Sequence, residues 1–135
     1  MGLIERLFGK SIESTVALPD REDGEADGYL SFEDLQAVEL RIGTVLAAEP
    51  VQKSPKLLRL TVDFGEESPR RVLSGIAQSF PPEELISRQF AFVANLAPRS
   101  IMGEESQAMI VAADGESGLV LVTPTAPASP GSRLH

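Results

Sequence analysis

An all-β fold is predicted by three features of the sequence: short runs rich in β-branched and apolar residues, turn signals between those runs, and a single helix start after the third of them. The clearest run is "KLLRLTVDFGEE", in which Leu58, Leu60, Val62 and Phe64 alternate with Arg59, Thr61 and Asp63. A period of two sends one set inward and leaves the other to solvent. Five or six such strands with one helical interruption predict a small closed barrel, the five-stranded OB-fold barrel, with a short helix after strand three.

In chain order, the first segment is "GLIERLFGK", where Leu3, Ile4, Leu7 and Phe8 share a helical face and Gly9 ends the turn. From Ser11 to Gly28 the apolar content drops, Pro19 interrupts, and "DREDGEADG" is a charged run that cannot bury enough surface to order itself. Residues 1–30 are therefore expected to form an acidic, largely flexible leader with a short amphipathic helix, and residues 31–135 the barrel. Where the two meet, "DGEADGYLSFEDL" imitates a calcium loop, with carboxylates at positions 1, 3, 5 and 12, glycine at 6 and Leu30 at 8. Both flanks speak against it, because Pro19 stands where an entering helix should end and a strand follows Leu35. Ser31 and Asp34 instead match a capping box that opens the helix "FEDLQAV".

The first strand is "VELRIGTVLAAEPV", with Gly43 predicted to mark a bulge or sharp bend. "KLLRLTVDFGEE" follows, and after the turn at Gly65 "RRVLSGIA" is its hairpin partner. "PPEELI" starts a helix, with Pro82 in the first turn and Glu83 and Glu84 beside its positive end. "QFAFVANL" is a strand and "APRSIMGEES" a loop; strands "QAMIVAA" and "LVLVTP" are joined by the turn "DGESG". The tail "TAPASPGSRL" has no periodicity and is expected to wrap the barrel as an extended C-terminal segment.

A chain of 135 residues is long enough for one domain with its own core. It has no cysteine, and its single histidine is His135, so thiolate chemistry, a zinc cluster and a histidine base are all missing. Ser74 has no histidine to activate it, and the neighbouring pairs Glu66/Glu67, Glu83/Glu84 and Glu104/Glu105 point mostly apart. The expectation is a binding domain, not an enzyme, with no catalytic residues, no cofactor and no metal. No apolar run reaches the ~18 residues of a membrane span, and a cytoplasmic protein that makes no membrane contact is expected. The net charge of −8 is uneven: residues 1–34 hold nine acids and three bases, the remainder eleven and nine. Among those bases Lys53, Lys56 and Arg59 surround the entry of the second strand, Arg70 and Arg71 open the third, and Arg99 follows Pro98. Pairing through Gly65 brings Arg59 and Arg71 near one another on the solvent face, by which OB barrels hold oligonucleotides. The bland reading is that such bases merely keep a β-protein soluble. Phe64, Phe90 and Phe92 fall at inward positions, which leaves no stacking platform for single strands.

The segments "DLQAVELRIGTVLAAEPV", "KLLRLTVDFGEE", "VLSGIA", "PEEL", "VANLAPRSIMGEESQAMIVAA" and "PGSRL" together resemble the tRNA-binding domain family, in order and without large gaps from about Ser31 to Leu134. That family includes free-standing bacterial tRNA-binding proteins, the C-terminal or beta-subunit domain of methionyl-tRNA synthetase, and the endothelial monocyte-activating polypeptide II domain. The resemblance implies an OB barrel, often a homodimer, that binds tRNA by shape and phosphate contacts and assists aminoacylation without performing it, with methionyl-tRNA synthetase as a partner. Carried over by position it implies RNA-facing roles for Lys56, Arg59, Ser74, Asn95, Arg99, Met102, Ser106 and Met109, to which Lys53 and Arg71 add as neighbouring bases. The cations would neutralise phosphates, Asn95 and the serines would meet phosphate or 2′-hydroxyl groups, and Met102 would make an apolar contact. Other readings stay open for three of them: Met109 in the core, Ser74 in a turn, Asn95 capping its loop. Ser100 and Gln78 stand where relatives often carry a base, which predicts a shallower salt dependence. Some relatives resemble secretion chaperones, so the alternative function is a protein-binding OB domain with chaperone-like activity.

Overall fold

The structure, a computed structural model, describes residues 28–135. The expected amphipathic segment Leu3–Phe8 and the acidic half of the calcium-like stretch lie outside the described residues. The chain enters the barrel through α1 (Phe32–Gln36), where the Asp34 amide donates to Ser31 Oγ at 3.0 Å, the serine half of the capping box. This satisfies one of the amides that a helix start leaves without a partner.

Nine strands follow: β1 (Leu40–Val51), β2 (Ser54–Asp63), β3 (Arg70–Ser74), β4 (Gln89–Val93), β5 (Arg99–Ile101), β6 (Glu104–Ser106), β7 (Met109–Ile110), β8 (Ala112–Gly115) and β9 (Gly118–Leu121). A five-stranded antiparallel sheet has the order β3-β2-β1-β4-β7. It is the OB-type barrel the alternation predicted. β1 serves two neighbours, pairing with β4 over Leu40–Thr44 and with β2 over Thr44–Val51. Between β3 and β4 the chain makes a 3-10 turn at Pro82–Glu84 where the sequence predicted a helix. With only three residues before Leu85 dives into the core, no longer helix forms.

The period-two reading of β2 is borne out: Leu58, Leu60, Val62 and the following Phe64 are buried, with Val45, Val72, Leu85, Phe90 and Phe92 around them. Phe64 and Phe92 meet edge to face, their centroids 5.2 Å apart. β4 is buried on both sides, because Phe90 and Phe92 point into the barrel while Ala91 and Val93 lie under Val38, Leu40 and Leu134. The tail wraps the barrel in extended form, as its composition suggested. It runs beside β1, with Ile42 N donating to Ser132 O at 2.9 Å and Leu134 N to Leu40 O at 2.8 Å.

Two expectations are corrected. Gly43 is not at a bulge, since it sits in regular register opposite Phe90, although β1 passes from β4 to β2 beside it at Thr44; the register shifts fall between Val45 and Ala47, which throws Leu46 outward, and between Pro50 and Val51. Glycine is required at 43 for another reason: a Cβ there would stand 2.5 Å from Val62 Cγ1 and 2.9 Å from Phe64 Cε1. The supposed loop "APRSIMGEES" contains the β5–β6 hairpin, turned by Met102 and Gly103 at φ 51° and 83°. Positive φ at both central residues is what a two-residue hairpin turn of type I′ needs.

Candidate functional site

The barrel closes where β3 meets residues 106–108, and that closure builds the site. Gln107 N donates to Arg71 O at 2.8 Å, whereas the Arg71 and Leu73 amides donate to side chains, Gln107 Oε1 at 2.8 Å and Ser106 Oγ at 3.0 Å. Side-chain oxygens thus complete an edge that strand backbone leaves open. The Ser106 hydroxyl donates in turn to Ala108 O at 3.1 Å. Ser106 is only 6% exposed, and its hydroxyl is engaged within the fold at the wall of the groove beside this seam.

On one side of this seam lies a groove of about 380 Å³ between the end of β3, the β5–β6 hairpin and the β8–β9 hairpin. Its walls are apolar, with Leu57, Leu73, Ile76, Ile101 and Leu119 among them, and Ser74, Gly75, Arg99 and Asp114 supply polar groups. The Arg99 side chain is exposed and, among the described residues, makes no hydrogen bond or ion pair. Lys56 is likewise exposed and unpaired at its side chain, and its carbonyl accepts from Ala77 N at 3.0 Å, which places it beside the Gly75–Ala77 wall. Met109 is half-buried against Ala91, Val93 and Val111 and also lines the groove, so it packs on the core and faces the opening at once.

On the other side of the hairpin a second hollow, also about 380 Å³, gathers Lys53, Arg59, Met102, Gly103, Glu104 and Glu49. Here the charges are paired. Arg59 Nε and Nη2 donate to the two oxygens of Glu104 at 2.7 and 2.5 Å, and Nη1 stands 3.2 Å from Glu49 Oε2. Arg71 Nε lies 3.9 Å from the same Glu104. The Arg59 hydrogen bond, followed by the charges of Arg59, Arg71 and Lys53, holds the Glu104 carboxyl below its usual range, and the Arg59 guanidinium is held correspondingly higher. Arg59 and Arg71 do share the solvent face, as the β2–β3 pairing predicted, but a carboxylate stands between them.

Asn95 belongs to neither hollow. Its Oδ1 accepts from Glu39 N at 2.9 Å and its Nδ2 donates to Ala37 O at 2.6 Å, which ties the end of β4 to the chain leaving α1. A base the sequence analysis did not single out as a site residue, Arg70, spans the same end of the barrel. It donates to Glu66 at 2.9 and 2.6 Å and to the carbonyl of Ala94 at 2.7 Å, and lies 5.2 Å over the Phe64 ring. The ten expected site residues therefore divide. Ser74, Arg99, Ser106 and Met109 line the open groove, Lys56 stands exposed beyond its Leu57 edge, Met102 stands exposed on the hairpin tip, and Arg59, Arg71 and Asn95 are engaged within the fold, with Lys53 exposed beside Glu104.

Residues 40–133 match the family described as "Putative tRNA binding domain". The methionine–tRNA ligase of Archaeoglobus fulgidus is 46% identical over 105 residues, 78% of this chain and 16% of that enzyme. The chain spans about one sixth of the length of the curated relatives it matches. Among solved structures, a MetRS related protein from Pyrococcus horikoshii superposes with a TM-score of 0.70 at 36% identity, covering 76% of this chain and 94% of that one. The chaperone CsaA of Bacillus anthracis gives 0.69 at 30% identity, covering 78% and 97%.

Proposed function

The chain belongs to the tRNA binding domain family, and from that premise we propose that it binds tRNA as an auxiliary, non-catalytic module, with phosphates held at the rim of the β3/β5–β6 groove. The observation that carries this reading is the unpaired Arg99 guanidinium on a groove with apolar walls, with the exposed Lys56 next to its Leu57 edge. A cation with no internal partner costs little to bring against a phosphate, because no existing pair has to be broken. Ser74 lines the same groove as Arg99 and would offer its hydroxyl to a phosphate or 2′-hydroxyl oxygen. Met102, 48% exposed in a left-handed conformation that side chains seldom adopt, offers an apolar contact at the tip. Three of the other expected contact residues take supporting parts: Ser106 and Asn95 hold the hairpin base and the β4 end, and Met109 packs on Ala91, Val93 and Val111 at the groove wall.

The same proposal places the chain in the cytoplasm with methionyl-tRNA synthetase as its partner, in line with its relatives. No helix among the described residues is long and apolar enough to cross a membrane. Self-association as a homodimer is part of the proposal too, supported by the apolar Phe32 and Leu35, which α1 leaves 71% and 44% exposed. Sedimentation at increasing concentration tests it, and a monomer throughout would remove it.

A second reading has one observation in its favour. The groove walls are apolar enough to take a hydrophobic side chain, and the similar CsaA structure is titled a chaperone. One experiment separates the two: the chain is titrated with bulk tRNA and with an unfolded polypeptide over a range of salt. tRNA binding that weakens linearly in log[salt] supports the first reading; salt-insensitive capture of polypeptide without tRNA binding supports the second.

A further inference from the structure

Glu104 faces two arginines at once, and its place in the fold explains how. It pairs with Ile101 across the β5–β6 hairpin, one residue beyond the Met102–Gly103 turn, so the hairpin carries its carboxylate onto the β2–β3 face. There it takes two N–H groups of Arg59 and approaches Arg71, while Glu49, directly across β1–β2 from Arg59, takes the third nitrogen. A carboxylate and a phosphate engage a guanidinium fork in the same way, through two parallel N–H···O bonds. The two therefore compete for the same donors.

We infer that Glu104 is a positioning residue that occupies Arg59 and Arg71 in place of a phosphate, and so confines anion binding to the groove rim where Arg99 stands open. The inference rests on the proposed function in taking RNA phosphate as the natural competitor. Arg59 and Glu104 are 27% and 25% exposed at their side chains, so solvent anions reach the pair without unfolding the barrel. A tethered carboxylate also meets Arg59 at a high effective concentration, which a free phosphate at low occupancy does not match. Among the described residues, no other carboxylate lies within ion-pair distance of two arginines.

The test compares Glu104→Gln with Glu83→Gln, which makes the same change in net charge on the exposed 3-10 turn. Each is made alone and with Arg59→Ala, and all are eluted from immobilised heparin by salt and titrated with bulk tRNA. Glu104→Gln is expected to elute at higher salt than Glu83→Gln and to steepen the log K against log[salt] slope by about 0.9 for each phosphate newly paired. Arg59→Ala should cancel that gain in the Glu104→Gln background and change little in the wild type. Equal elution of the two glutamine variants, or an Arg59→Ala effect of the same size in both backgrounds, overturns the inference. Should Glu104→Gln fail to fold, Glu104→Asp replaces it: the shorter carboxylate keeps the charge but loosens the two-bond contact, and unchanged elution counts against the inference. A wild type that holds heparin but not tRNA sinks the tRNA reading, while the heparin comparison still decides the part played by Glu104.

Discussion

The strand face around Arg59 and the groove rim around Arg99 carry the same side chain and differ in what stands opposite it. Arg59 meets Glu104 and Glu49; Arg99 meets solvent. The β5–β6 hairpin separates them and belongs to both, since Arg99 opens it and Glu104 follows its turn. A base on a strand face says little about binding until its acids have been located. In this chain the hairpin supplies the acid that pairs with one of these cations and leaves the other without a partner among the described residues.

The largest effect expected from disturbing this arrangement sits at the hairpin's base. Ser106→Ala leaves the buried Leu73 amide without its acceptor and should destabilise the fold by about 1–3 kcal/mol. Denaturant unfolding measures that loss, and the salt slope of tRNA binding should stay as in the wild type. A changed slope with unchanged stability would return Ser106 to the contact surface. At the tip, Met102→Gly removes a side chain held at φ 51° and is expected to stabilise by up to about 1 kcal/mol while weakening tRNA binding. Opposite signs in the two measurements would show that the exposed methionine serves binding at the expense of stability.

A smaller effect uses Arg70 as the internal standard of a paired arginine. The hydrogen bond from Arg70, followed by its charge, holds the Glu66 carboxyl below its usual range. A depressed carboxyl contributes stability above the pKa it has in the unfolded chain, and loses it as the pH falls through the lower folded value. The stability difference between wild type and Glu66→Gln should therefore be greatest at neutral pH and shrink below the usual carboxylate range. Thermal unfolding across that range reads it; a difference that grows in acid would contradict the pairing.

Much of the barrel was legible in the sequence because its signals are local. Alternation along β2 located Leu58, Leu60, Val62 and Phe64 inside, and Ser31 announced the cap of α1. What stayed hidden depends on contacts made by closure. The neighbours that forbid a Cβ at Gly43 come from Val62, Phe64 and Phe92, on other parts of the sheet. The β5–β6 hairpin was missed because its strands are three residues each and its turn is Met-Gly, without the Asn-Gly signal. Glu104 lies 45 residues from Arg59, so nothing local reveals that the two meet. For the same reason sequence position alone kept Arg59 among the expected contacts, although Arg99 was the favoured one.

The most direct test of the account is the slope of log K against log[salt] for bulk tRNA, measured on the wild type, Arg99→Ala and Arg59→Ala. The account predicts that Arg99→Ala makes the slope shallower by about 0.9, the signature of one lost phosphate contact, while Arg59→Ala leaves it unchanged. A slope that falls for Arg59→Ala and holds for Arg99→Ala would put RNA on the strand face and contradict it.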